Sequence, residues 1–316
     1  MSARVFIDGA AGTTGLEIRE RLAGRAELEL VALSDAERKD SGARRAALNA
    51  ADLVILCLPD EAAREAVSLI ENPGVRVIDA STAHRTAPGW AYGFAELEPD
   101  GYARLAAATR VSNPGCYPTG FLAAVCPLVR AGLLSADYPY TVNAVSGYSG
   151  GGKSMIAEFE NAAAPDFTRA VVRTYALGLT HKHVPEMQVH AGLKHAPVFS
   201  PSVGRFYRGM LVDVPLQLWA VPKRPSLADL QSCLAEAYRG RPLVEVASLE
   251  EAVELKSLDA ELLAGTNRLK LYVFGNEKAG QARLVALLDN LGKGAAGAAV
   301  QNLNIMLGLP ETAGLG

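Results

Sequence analysis

Residues 4 to 22 constrain this chain more than any other stretch. Arg4-Val-Phe-Ile-Asp8 reads as a short buried strand, Gly9-Ala-Ala-Gly-Thr-Thr-Gly15 as a tight loop, and Leu16 to Leu22 as the start of a helix. A G-x-x-G-x-x-G run between a strand and a helix is a relative of the dinucleotide-binding fingerprint. Its glycines let the backbone approach a pyrophosphate, whose charge meets the positive end of the helix dipole. Gly9, Gly12, Thr13, Thr14 and Gly15 are therefore candidate cofactor contacts; the alternative is a glycine-rich turn with no ligand.

The alternation continues. Leu28 to Leu33 and Ala51 to Leu58 read as strands, the second closed by Pro59, a further cofactor candidate. Glu61 to Ile70 reads as a helix and Val75 to Asp79 as another strand. Strands alternating with helices imply a doubly wound parallel sheet, and near-continuous apolar strands imply that both faces are covered. After about residue 137 the texture changes. Tyr140 to Val145 and Gly209 to Leu218 read as longer, more alternating strands, Leu269 to Phe274 and Ala282 to Leu288 as a hairpin pair, Pro225 to Tyr238 and Leu249 to Leu255 as helical, and Ala295 to Leu307 as a final apolar helix. The expected fold is α/β: a Rossmann-like parallel sheet in residues 1–115, then an α+β domain with a mixed sheet and helices on one face in 116–289.

Several function classes are disfavoured. Net charge is −3, and no basic run exceeds the pairs Arg44-Arg45 and Lys223-Arg224, so nothing asks for nucleic acid. No stretch approaches the roughly 18–20 uninterrupted apolar residues of a membrane span. The chain enters a strand almost at once, which leaves no room for a signal peptide. Cys57, Cys116, Cys126 and Cys233 match neither a zinc site nor a disulfide framework, and free thiols without an export signal favour the cytoplasm.

The chemistry concentrates around Cys116. In Val111-Ser-Asn-Pro-Gly-Cys-Tyr-Pro-Thr-Gly120 the Pro-Gly turn delivers a thiol to the N-terminus of an apolar helix, where unpaired N–H groups and the dipole favour the thiolate. A nucleophilic thiol needs a partner to manage protons. His181-Lys182-His183-Val-Pro-Glu186 supplies two imidazoles that point the same way if the stretch is extended, with Glu186 placed to orient one and raise its pKa. A metal site is the competing reading of H-x-H, and no third ligand is obvious. Gly147-Tyr-Ser-Gly-Gly-Gly-Lys153 follows a strand, and Gly147 and Gly150 suit a phosphate or cofactor approach. Arg85 and Arg208 are candidates for gripping a carboxylate or phosphate. At the end of the second strand, Asp35 argues for NAD, whereas Ser34, Arg38 and Lys39 argue for the 2′-phosphate of NADP.

Taken together, the glycine loop, Tyr92-Gly-Phe-Ala-Glu-Leu97, Ser112-Asn-Pro-Gly-Cys-Tyr-Pro-Thr119, His181-x-His183-x-Pro-Glu186, Arg208-Gly-Met-Leu211 and Asn290-Leu-Gly-Lys-Gly-Ala-Ala-Gly297 resemble the N-acetyl-gamma-glutamyl-phosphate reductase family over nearly the whole chain. The chain resembles the shorter of that family's two length classes, and the family is similar to aspartate-semialdehyde dehydrogenase in fold and chemistry. The resemblance implies NADP(H), a catalytic cysteine at Cys116, a catalytic histidine at His181 or His183, and a C-terminal segment (290–316) that returns to the first domain, with Asn290, Lys293 and Gly294 near the nicotinamide. It implies reduction of N-acetyl-L-glutamyl 5-phosphate through a Cys116 thioester, in arginine biosynthesis. Arg85, Asn113, Ser146, Lys182 and Arg208 are the candidate substrate contacts. A homo-oligomer, dimer or tetramer, is implied as well. Competing readings are aspartate-semialdehyde dehydrogenase itself, a non-enzymatic NADPH-binding sensor, and a cysteine hydrolase or acyltransferase.

Overall fold

The computed structural model describes residues 2–34 and 36–315. The chain forms two units: Met1–Ala95, Asp100–Pro114 and Ala295–Gly316 make the first, Glu96–Pro99 and Gly115–Gly294 the second.

In the first unit the order is β1 (Ala3–Asp8), α1 (Thr13–Leu22), β2 (Leu28–Val31), α2 (Ser41–Ala50), β3 (Leu53–Leu56), α3 (Asp60–Ser68), β4 (Arg76–Asp79), β5 (Ala91–Tyr92), α4 (Gly101–Ala107) and β6 (Arg110–Ser112). The strands form one parallel sheet in the order β2-β1-β3-β4-β6-β5. Every residue of β3 is buried, as its unbroken apolar run requires of a strand covered on both faces. The helix α2 is not among the elements expected from the sequence. It buries only Ala47 and Leu48, and Asp40 starts it by accepting a hydrogen bond from Ala43 N–H at 2.6 Å.

The second unit contains α5 (Cys116–Arg130), β7 (Thr141–Gly147), α6 (Gly152–Glu160), β8 (Val172–Thr174), α7 (Val184–His190), β9 (Val198–Gly204), β10 (Met210–Gln217), α8 (Leu227–Ala237), β11 (Val244–Val246), α9 (Leu249–Glu254), β12 (Leu269–Asn276) and β13 (Gln281–Leu288). Its sheet runs β11-β12-β13-β10-β7-β9-β8. It is mixed: β11 with β12 and β7 with β9 are parallel, the other neighbours antiparallel. The helix α5 lies against β10 and β13. It approaches so closely that a side chain at Gly120 would sit 2.7 Å from Val212 Cγ2. Leu211, Asp213, Phe274, Arg283 and Val285 line a shallow cavity on the sheet with Leu258. The burial of β10 alternates residue by residue, the period expected of a strand with two different faces.

Glu96–Pro99 are tied into the second unit. Lys293 Nζ donates to Glu96 at 2.6 Å, while Arg130 reaches Leu97 O at 3.0 Å and Glu98 at 2.7 Å. The chain re-enters the first unit at Ala295, inside a π-turn over Gly292–Ala296 that replaces the expected start of the last helix. From there α10 (Gly297–Leu307) is buried almost throughout and packs against α1 and α4.

Candidate active site

Cys116 is the first residue of α5, and Gly115 at the N-cap position contributes no side-chain cap. The helix buries every residue from Tyr117 to Leu128, so its start is rigidly placed. Its first N–H groups lack intrahelical acceptors and face the half-buried thiol's end of the helix. One carboxylate oxygen of Glu186, itself buried, accepts from Gly115 N–H at 2.8 Å. Gly294 lies directly against the cysteine: a side chain there would meet Cys116 Cβ at 2.7 Å. The other thiols are different in kind. Burial, then Asp79 and Asp8, push Cys57 up to about 12, and burial pushes Cys126 to about 12 and Cys233 upward.

The histidine segment is not extended. Lys182 and His183 form a turn, and His183 occupies the N-cap position of α7. The two imidazoles are still brought together, with ring centroids 4.7 Å apart and His183 N–H donating to His181 Nδ1 at 3.1 Å. Around His181 stand Phe199 at 5.1 Å, Tyr175 at 5.7 Å and Tyr117 at 6.0 Å between ring centroids. The expected raised pKa is corrected for His181. Burial, and then the neighbouring Lys182, lower it to about 4.

Tyr117 and Tyr175 are site members that the sequence reading missed. Tyr175 OH donates to Tyr117 OH at 3.0 Å, and Tyr117 OH donates to Ser202 O at 3.4 Å. Both phenols are pushed up, first by burial, Tyr175 to about 12; each also feels Cys116. Ser146 is buried, and its hydroxyl donates to Gly147 O at 3.1 Å. Tyr117 directly follows the cysteine, but Tyr175 carries no local signal.

Other predicted residues of the second unit form an adjoining polar group. Asn290 accepts from Gly209 N–H at 2.8 Å and donates to Ser149 Oγ at 2.9 Å. A side chain at Gly150 would lie 3.4 Å from both Asn290 Nδ2 and Ser146 Oγ, and Gly147 N–H donates to Gly209 O. Arg208 is ion-paired to the fully buried Asp289, and Lys293 to Glu96. Lys182 is exposed. Among the described residues no group of three or more His, Cys, Asp or Glu side chains is arranged to hold a metal.

The first unit carries the remaining candidates. Gly9 has φ +87°, and a side chain there would lie 2.3 Å from Cys57 O; one at Gly15 would lie 2.6 Å from Gly9 O. Gly12 leaves the N-terminus of α1 without a side-chain cap, and the buried Thr13 Oγ1 has no hydrogen-bond partner among the described residues. Open N–H groups, an unsatisfied hydroxyl and a loop of glycine, alanine and threonine residues fit a dinucleotide phosphate. Beside this loop a small cavity is lined by Arg19, Arg38 and the end of β2. Ser34 is engaged locally: its N–H and hydroxyl both donate to Glu37, at 2.8 and 2.6 Å. Asp35 lies outside the described residues, and of Lys39 only the backbone is described. Pro59 precedes α3 at its N-cap position. Arg85 is buried and donates to the Asn113 and Ala80 carbonyls. The Asn113 side chain is used within its own unit, donating to Ala295 O at 2.9 Å and accepting from Asn302 at 3.1 Å.

Residues 4–104 match the family described as semialdehyde dehydrogenase, NAD binding domain, and residues 116–290 the family described as semialdehyde dehydrogenase, dimerisation domain. The chain is 57% identical over 309 residues to the N-acetyl-gamma-glutamyl-phosphate reductases of Brucella ovis and Brucella canis, covering 98% of this chain and 100% of each relative. Among solved structures it is similar to aspartate semialdehyde dehydrogenase II from Vibrio cholerae, complexed with ASA (TM-score 0.73, 16% identity, 97% and 98% of the two chains). It is also similar to aspartate semialdehyde dehydrogenase with NADP from Candida albicans (TM-score 0.67, 15% identity, 96% and 98%). Those structures show the fold. The family match and the 57% relatives bear out the expected nicotinamide cofactor, NADP(H).

Proposed function

The chain belongs to the N-acetyl-gamma-glutamyl-phosphate reductase family of oxidoreductases, and on that premise we propose that it reduces N-acetyl-L-glutamyl 5-phosphate to N-acetyl-L-glutamate 5-semialdehyde through a Cys116 thioester, in arginine biosynthesis. The observation that carries the reading is the placement of Cys116. It begins a buried helix whose first N–H groups lack intrahelical acceptors, beside a histidine and tyrosine cluster.

The Cys116 thiolate attacks the acyl carbon, a C–S bond forms, and the C–O bond to phosphate breaks. N–H groups at the start of α5 hold the negative oxygen of the tetrahedral intermediate. A thioester accepts hydride far more readily than a carboxylate, which is the reason for the covalent step. The nicotinamide supplies that hydride when bound. As the C–S bond breaks, Cys116 is released again as thiolate and the aldehyde departs. The His181/His183 pair serves the oxygen and proton chemistry, and Gly115 is fixed by Glu186 so that the thiol stays in line. Arg85 and Arg208, each already oriented by hydrogen bonds to the protein, are the cations proposed for the substrate's charged groups. Lys182 is a further proposed substrate contact.

In this reading the first unit holds NADPH, with the glycine loop on the pyrophosphate, Arg38 toward the 2′-phosphate, and Pro59 beside the cofactor. The second unit carries the chemistry and assembles into a homo-oligomer in the cytoplasm. No helix among the described residues is long and apolar enough to cross a membrane. The test is phosphate-dependent reduction of NADP by N-acetylglutamate semialdehyde, with wild type beside Cys116→Ala. Turnover in wild type alone supports the assignment. Turnover only with aspartate semialdehyde assigns the chain to the sibling reaction.

A further inference from the structure

We propose that His181 enters the reaction as a neutral hydrogen-bond donor through Nε2, in a tautomer fixed by the backbone N–H of His183, and not as the base that removes the thiol proton. The inference rests on the thioester reading above and refines it.

The argument begins with a backbone group whose role is unambiguous. An amide N–H can only donate. His183 N–H points at His181 Nδ1 from 3.1 Å, so Nδ1 is an acceptor. A neutral imidazole carries one ring proton, which must then sit on Nε2. The same contact opposes the imidazolium, because a proton on Nδ1 would set two N–H groups against each other at that distance. The surroundings agree. The ring is packed among Phe199, Tyr175, Tyr117 and His183, the nearby titratable groups are two phenols, the Cys116 thiol that both phenols feel, a second imidazole and the Lys182 ammonium, and burial with the Lys182 charge lowers the His181 pKa.

A base must offer a lone pair, and on His181 that lone pair is already occupied. Only an N–H remains to be offered. The forward reaction has a use for it: each of the two steps at carbon places negative charge on the carbonyl oxygen and then withdraws it. In the first step C–S forms and C–O breaks. In the second the hydride pair forms C–H, C–S breaks, and Cys116 regains its thiolate. The departing phosphate takes its proton from water. A neutral donor stabilises both oxyanions without being consumed, and the thiolate is held by the start of α5 without a proton passing to His181.

The test uses the full chain labelled with 15N at histidine, with His181 assigned by the signals lost in His181→Gln. Nδ1 is expected to appear unprotonated and Nε2 protonated from about pH 8 down to about pH 5. A proton on Nδ1, or an imidazolium at neutral pH, overturns the proposal. Turnover supplies the second arm. Glutamine can donate an N–H but cannot shuttle a proton, so His181→Gln should retain at least about tenfold more kcat than His181→Ala, whose loss should be about 10²–10³-fold. Equal losses in the two variants overturn the donor role. Full activity in Cys116→Ala would instead remove the thioester reading and leave the tautomer measurement standing, so the two failures are distinguishable.

Discussion

Glu186 and Gly115, 71 positions apart, are joined by a 2.8 Å hydrogen bond from the Gly115 N–H to a carboxylate oxygen that is shielded from water. The acid of the histidine motif thus grips the backbone one residue before the nucleophile. A carboxylate is a strong acceptor for a helix-terminal N–H, and inside the protein that bond is not diluted by solvent. Glu186→Gln retains an acceptor oxygen and should lose little stability. Glu186→Ala strands a buried N–H and should cost about 1–3 kcal/mol by denaturant unfolding, with a fall in kcat as the thiol loses its fixed position. Equal stability of the two variants would contradict the positioning role.

The lowered pKa of His181 has a consequence for stability. With the folded value near 4 and the ordinary value near 6.5, the unfolded chain binds the extra proton first as pH falls. This contribution is therefore fully present above about pH 6.5 and is lost as pH drops toward 4. His181→Gln should flatten the stability profile across that window relative to wild type. Urea titrations at about pH 4, 5, 6 and 7 read the effect directly; parallel curves for the two proteins would contradict it.

Lys293 and Glu96 are 2% and 0% exposed in their side chains and 2.6 Å apart. Removing one charge leaves the other buried without its 2.6 Å partner. Lys293→Met should cost about 3–5 kcal/mol, and adding Glu96→Leu should recover most of that loss. Chemical denaturation of the two single variants and the double variant checks the cycle. A double variant as unstable as the sum of its singles would show that the pair matters for some reason other than mutual neutralisation.

Gly9 combines a left-handed backbone with an approach of 2.3 Å between a built side chain and Cys57 O. Gly9→Ala must therefore move the loop or the end of β3. A loss of about 2 kcal/mol or more in stability is expected, with at least tenfold weaker NADPH binding by calorimetry. Unchanged cofactor affinity in a folded variant would remove the glycine loop from the cofactor site.

Much of this was legible because it is local. The apolar run of β1, the glycine loop and the start of α1 lie within 22 residues, and the hairpin of β12 and β13 shows clear strand texture. One local signal was present but given the wrong meaning. Pro185 and Glu186 mark the first turn of α7, so the histidine segment turns into a helix where an extended stretch was expected. The β9 strand escaped because Pro201 interrupts its pattern; the strand still pairs with β7 in parallel, Pro201 opposite Ala144. Tyr175 could not be read as a site residue, nor could the ion pair made by Glu96, a residue of the Tyr92–Leu97 motif. Their partners, Tyr117 and Lys293, are 58 and 197 positions away, and only the folded chain brings them together.

The central claim is that Cys116 carries the acyl group. Wild-type protein mixed with N-acetylglutamate semialdehyde and NADP in the absence of phosphate should release a burst of about one equivalent of NADPH per site and leave an N-acetylglutamyl adduct on the peptide containing Cys116, seen by mass spectrometry after acid quench. Addition of phosphate should discharge the adduct. A burst with the adduct on another residue, or phosphate-dependent turnover that persists in Cys116→Ala with no adduct in wild type, would contradict the account.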